Sequence, residues 1–307
     1  MALLSVVLAV TVTVVLTVAV FAAFRQILRN RELTEAHLAE VKEGFYQVGQ
    51  NVTTVAQMVG SFQMGTWWLR YALVGGYGDI DISGSVDIKS EPTVGQANIY
   101  AAGKVKMSGS PTIEGDVTAV GSIDMSGASV VTGTVRPNFP WPLVFPTDAQ
   151  ITAIAQQYLA EAQAGGNFTG DKLYSGSGTH ELGPLHITGE FQAQDSVKIK
   201  LTGTVYVDGD ITMSGSARIE GPGTIVSGGT VVATGFGRLP LEDIPIIMSV
   251  NNGITSGGTN EMSALLFAPR GTIRFTPGAS FYGAAFGSDL DIAGPPRLVL
   301  TYPFTPR

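Results

Sequence analysis

The chain has 307 residues, a net charge of −7, 39 glycines, 16 prolines and no cysteine. The negative balance speaks against binding nucleic-acid phosphates, which takes a positive field. The missing cysteines exclude disulfide scaffolds, thiolate metal sites and cysteine nucleophiles, and glycine without a three-residue period excludes collagen.

The first element is apolar. Ala2 to Phe24 carries no charge and includes Leu3, Leu4, Leu8, Val12, Val15, Leu16 and Phe21. Roughly 20 such residues cross a bilayer. Beyond Arg25, apolar residues fall at Leu38, Val41, Phe45, Val48, Val52, Val55, Val59 and Phe62. Spacings alternating between three and four are the period of a helix that buries one narrow seam. No proline occurs before Pro92, so one helix is expected from residue 2 into the mid-sixties, on the order of 90–100 Å long. Such a rod has to be buried by lipid and then by other chains. Trp67, Trp68 and Tyr71 follow as an aromatic knot, expected to pack between helix and body.

From Tyr77 the period changes to two. Ile80-Asp81-Ile82-Ser83-Gly84 returns as Val105-Lys106-Met107-Ser108-Gly109, Ile123-Asp124-Met125-Ser126-Gly127 and Ile211-Thr212-Met213-Ser214-Gly215. Looser copies start at Ile273 and Leu290. Short strands recurring in this way predict a coiling sheet in which each rung stacks on the last. Alternation would put Ile and Met inside and Asp, Lys or Thr outside. Between 137 and 166 the repeat is interrupted by a Pro-rich strap, Pro137 to Pro146, and then by a helix. Thr147-Asp148 looks like a cap for that helix, which is expected to run to about Ala164; its apolar residues Ile151, Ile154, Ala155, Tyr158 and Leu159 share a face, and Gly165-Gly166 ends it. Tyr302 to Pro306 is expected to tie down the C-terminus. The fold expected is therefore α+β: a helix over residues 1–68, then a parallel β-solenoid over 69–307 with the insert at 137–166. A β-sandwich of similar turn density is the alternative.

Little in the sequence carries chemistry. His37, His180 and His186 show no ligand spacing. Asp79/Asp81, Asp208/Asp210 and Asp289/Asp291 form Asp-x-Asp pairs, a pattern expected of outward carboxylates at strand ends and used by carboxylate enzymes on β-helix faces. Asn51-Val52-Thr53 and Asn167-Phe168-Thr169 match the glycosylation sequon. No catalytic, cofactor or metal residue is assigned.

An apolar segment continued by an amphipathic helix into a β-rich body resembles type IV pilins, and Arg25 to Val52 resembles the minor-pilin branch called PilX-like. Val205 to Gly215 and Glu220 to Val226 look like the glycine-rich β-solenoids attached to such helices, and are also similar to the cytoplasmic bactofilin solenoid. The pilin resemblance implies cleavage by a prepilin peptidase that leaves Met1 as a methylated terminus. It also implies residence in the inner membrane, export by the pilus assembly machinery and a homo-oligomeric filament on the cell surface. Its core would be lined by the residues named above from Leu3 to Val52. Ser5 stands where pilins usually carry glutamate, and Ala22 where they carry a kinking proline, so docking would rest on apolar contact or on Met1 meeting another acceptor. The expected function is a non-enzymatic subunit of an extracellular pilus-like filament. The alternatives are a membrane-tethered bactofilin-like polymer and a surface protein that binds or cleaves polysaccharide.

Overall fold

The computed structural model describes residues 71–300 except 91–96, 141, 144, 234–238, 240–242, 259–260, 279 and 295–296. The chain divides into two units, Met1–Ala56 and Gln57–Arg307, and every described residue belongs to the second. That unit holds a parallel β-solenoid of about nine turns with one inserted helix. The helix expected over 1–68, Trp67, Trp68 and the tie at Tyr302 to Pro306 lie outside the described residues.

The repeat seen in the sequence builds one of three faces. In Ile80–Gly84 the side chains of Ile80 and Ile82 point inward and are fully buried, while Asp81 points out. Val105–Gly109 and Ile211–Met213 alternate in the same way. The Ser-Gly pair then turns the chain toward the next face. Gly84, Gly109 and Gly127 stack at this corner with φ of +89°, +89° and +75°. A Cβ on Gly109 would meet the Gly84 carbonyl oxygen at 2.8 Å, so backbone conformation and the neighbouring rung both demand glycine. Gly109→Ala should cost about 2–3 kcal/mol, read as a lowered denaturant midpoint. An unchanged midpoint would contradict the stacked corner.

The rungs do not stack in sequence order, and here the expectation that each rung lies on the last is corrected. Ser280–Ala293 pairs along one edge with Glu261–Phe275. Along its other edge it pairs with Leu73–Gly75 and with Ile80–Gly84, some 210 residues earlier in the chain. Residues 73–136 therefore climb from the middle of the stack to an upper end at Ile123–Met125, Val130–Val131 and Val135–Arg136. Residues 167–300 start at a lower end, Asn167–Phe168, Lys172–Tyr174 and Thr179–Leu182, and climb back to the middle. Pairing needs matched register, not adjacency in the chain, and the insert carries the chain from one end to the other. All these pairs are parallel, which rules out the sandwich alternative.

The insert is built as its sequence suggests. Helix α1 (Asp148–Gly165) starts in a capping box: the Thr147 hydroxyl accepts the Gln150 N–H, and the Gln150 side chain accepts the Thr147 N–H. Such caps contribute about 1 kcal/mol. Ile151, Ile154, Ala155 and Ala162 are its buried residues. Arg270 fixes its first turn, donating to the Asp148 carboxylate at 2.9 Å, the Asp148 carbonyl at 2.9 Å and the Thr152 hydroxyl at 2.8 Å.

Strap and helix together cover the middle of one face. The outward residues of that face form a single column in register: Asn167, His186, Tyr206, Val226, Met248, Phe267, Phe286, Val74, Tyr100, Thr118 and Arg136. From Val226 to Tyr100 these side chains are buried. They join Tyr71, Phe139, Leu143, Ile151 and Ile154 in a second core outside the solenoid, distinct from the one within it. Tyr71, from the expected aromatic knot, packs its ring 5.3 Å from that of Tyr100.

Candidate binding surface

Among the described residues nothing is laid over the face carrying the repeat. Its outward column reads Leu173, Gln192, Thr212, Val232, Thr255, Arg274, Asp291, Asp81, Lys106 and Asp124. At about 4.8 Å per rung it is a flat row roughly 43 Å long. The lower half is uncharged, with Leu173 57% and Val232 36% exposed. The upper half is ionic. Arg274 bridges Asp291 at 2.9 Å, and Lys106 lies 3.4 Å from Asp81 and 3.5 Å from Asp79. The Asp81 carboxylate, followed by that of Asp79, raises the Lys106 pKa above its usual value.

The Asp-x-Asp pairs have structural work at the corners. Asp289 accepts the Asp79 N–H at 2.9 Å, and Asp79 in turn accepts the Lys104 N–H at 2.7 Å. Asp171 and Asp210 do the same for Glu190 at 2.8 Å and Thr230 at 2.6 Å. Each carboxylate caps a backbone donor on the next rung where the chain turns out of the sheet, a charge-assisted bond of the stronger kind. Two of the pairs meet: Asp79-Ile80-Asp81-Ile82 lies in register beside Asp289-Leu290-Asp291-Ile292. The shared four-residue pattern was the sequence's one pointer to that long-range pairing.

Asp208 and His186 lie on the covered side instead. His186, 8% exposed, places Nδ1 2.9 Å from Asn167 Oδ1 and Nε2 3.0 Å from Asp208 Oδ1. Burial, with the Asp208 carboxylate second, raises the pKa of neighbouring Tyr206. Asn167, the second sequon asparagine, is exposed on the lowest rung with its side chain against His186. His180 is on another face, 4.8 Å from the Tyr174 ring. Among the described residues no cluster of three or more His, Asp or Glu is placed to hold a metal ion. Met1, Leu3, Leu4, Ser5, Leu8, Val12, Val15, Leu16, Phe21, Phe24, Leu38, Val41, Phe45, Val48, Val52, Asn51 and His37 lie outside the described residues. Among those described, no helix is long and apolar enough to cross a membrane.

The two ends differ. At the upper end the inward positions hold Ile123, Met125, Val131 and Val135, with Met125 43% and Val135 38% exposed. At the lower end they hold Phe168, Lys172, Tyr174, His180 and Leu182.

Stack, corner glycines, capping carboxylates and a helix laid along one flank define a discontinuous parallel β-solenoid. The chain belongs to the family described as "Domain of unknown function (DUF7305)", which matches residues 145–302. Two solved structures are similar to it. One is an ice-binding protein from an Antarctic biological consortium, 15% identical, with 77% of this chain and 90% of that one covered and a TM-score of 0.35. The other is an ice-binding protein from the Antarctic ascomycete Antarctomyces psychrotrophicus, 14% identical, with 77% and 96% covered and a TM-score of 0.32. No curated protein matches the chain.

Proposed function

We propose that this protein is a non-enzymatic subunit of an extracellular, type IV pilus-like filament, which its N-terminal apolar stretch holds together while the solenoid faces outward. The observation that supports this reading most is the completeness of the body. On two of its faces the described strands pair rung on rung from the lower end to the upper end, and the inward side chains of the core fill one another's space at close to 0% exposure. The charge-free run from Ala2 to Phe24 is not among the residues that form that described core. Leaving it in water forfeits about 25 cal/mol for every Å² of apolar surface, so lipid before assembly and sister copies afterwards are its natural surroundings. The solenoid then serves as a stiff outer module, and its uncharged row from Leu173 to Thr255 as the surface it presents.

A tethered cytoskeletal polymer would share the anchor but keep its body in the cytoplasm. Protease added to intact cells separates the two. Loss of the solenoid from whole-cell extracts is expected, with a cytoplasmic marker protein left intact. A solenoid that survives while remaining cleavable in lysed cells would overturn the extracellular assignment.

A further inference from the structure

We infer that Lys172 and His180 are a built-in stop that keeps solenoids from stacking end to end on one another. The inference concerns the body alone and holds whether or not the N-terminal stretch forms a filament.

The two ends match strand for strand. A second copy set with its lower end on the upper end of the first would continue all three sheets. Lys172–Tyr174 would follow Ile123–Met125, Thr179–Leu182 would follow Val130–Val131, and Asn167–Phe168 would follow Val135–Arg136. Open parallel edges of this kind template further pairing, and heterologous contacts that do not close make fibres. What opposes this is the side chains of the lowest rung. One inward column reads Ile123, Val105, Ile80, Leu290, Ile273, Ile254, Val231, Ile211, Phe191 and finally Lys172. Nine apolar residues end in a lysine. A second column reads Ile219, Ile199 and then His180.

Lys172 closes its own end of the core. Its Nζ stands 4.1 Å from the centroid of the Phe168 ring and 5.3 Å from that of Tyr174, so the stem shields the rings while the ammonium stays in water. Tyr174 in turn lies 5.9 Å from Phe191 in the rung above and 4.8 Å from His180. In a stacked pair the ammonium would be pressed against Ile123 of the neighbouring copy with no carboxylate inside the column to pair with it. Burying an unpaired charge costs far more than the apolar contact returns. Among the described residues the inward positions of the upper end carry no such guard, so the lower end bars the joint.

Disulfide trapping tests this in the full-length chain, which has no cysteine of its own. Asp124 and Leu173 occupy the outward column at opposite ends of the open face. They are roughly 43 Å apart within one copy but one rung apart across a stacked joint, inside disulfide reach. Detergent-solubilised chains carrying Asp124→Cys are mixed with chains carrying Leu173→Cys and oxidised, with and without Lys172→Met and His180→Phe in the Leu173→Cys partner. Those replacements keep the stem over Phe168 and the ring against Tyr174. The mixed disulfide is expected to rise at least about tenfold when both are present, and to fall back when Lys172→Arg replaces Lys172→Met or when Val131→Lys charges the upper end. Equal yields with and without the replacements would overturn the inference, as would a gain that persists with Val131→Lys. Unfolding midpoints of the variants confirm that folded solenoids are being compared.

Discussion

Phe286→Ala should destabilise the body by about 3–5 kcal/mol and lower its melting temperature by roughly 10 °C. Phe286 is 1% exposed and points away from the solenoid interior, into the second core. It sits in register between Phe267 and Val74, where the C-terminal rungs meet the N-terminal ones. Its ring centroid lies 4.9 Å from that of Phe267 and 5.6 Å from that of Phe145 in the strap. Gly76 makes room for it, since a Cβ there would stand 2.8 Å from its Cζ. One truncation therefore loosens the joint between the two halves of the stack and also the strap that spans them. Val232→Ala, on the open face, should stay within about 0.5 kcal/mol. Calorimetry or denaturant titration of both variants reads the contrast. Equal small losses would mean that strap and helix do not bury this face. Tyr100 gives independent support for the covered face: its hydroxyl accepts the Leu143 N–H at 3.0 Å, and burial raises its pKa.

The repeat around Ile80, Val105, Ile123 and Ile211 disclosed the open face, because alternation and a turn glycine are local signals that one rung contains in full. The insert was legible for the same reason: a capping box and a glycine pair mark a helix without tertiary information. The order of the rungs was not. Whether Leu290 lies beside Ile80 or beside another rung is decided by register across 210 residues, and the matching Asp-x-Asp patterns indicate it only in retrospect. The covered face left a different trace. Met262 to Ala268 has no charged residue and does not alternate, and it is buried throughout. A run of that kind marks a strand enclosed on both sides, where the inside-outside reading of the other strands expected water on one. The place of Lys172 and His180 at the foot of inward columns was not legible, because being last in a column is something sequence position does not reveal.

For assembly, the most direct measurement is deletion of Ala2 to Phe24 with the rest of the chain intact. The core described for the solenoid lies within residues 72–298, so the truncated protein should appear as dispersed single molecules in light scattering and sedimentation, with a β-rich spectrum and an unfolding midpoint close to the parent's. Particles isolated from the cell surface should be absent when only the truncated chain is expressed. Should the shortened chain still build polymers, the cohesion would belong to the β body and not to the charge-free segment ahead of it, and the filament reading would fall.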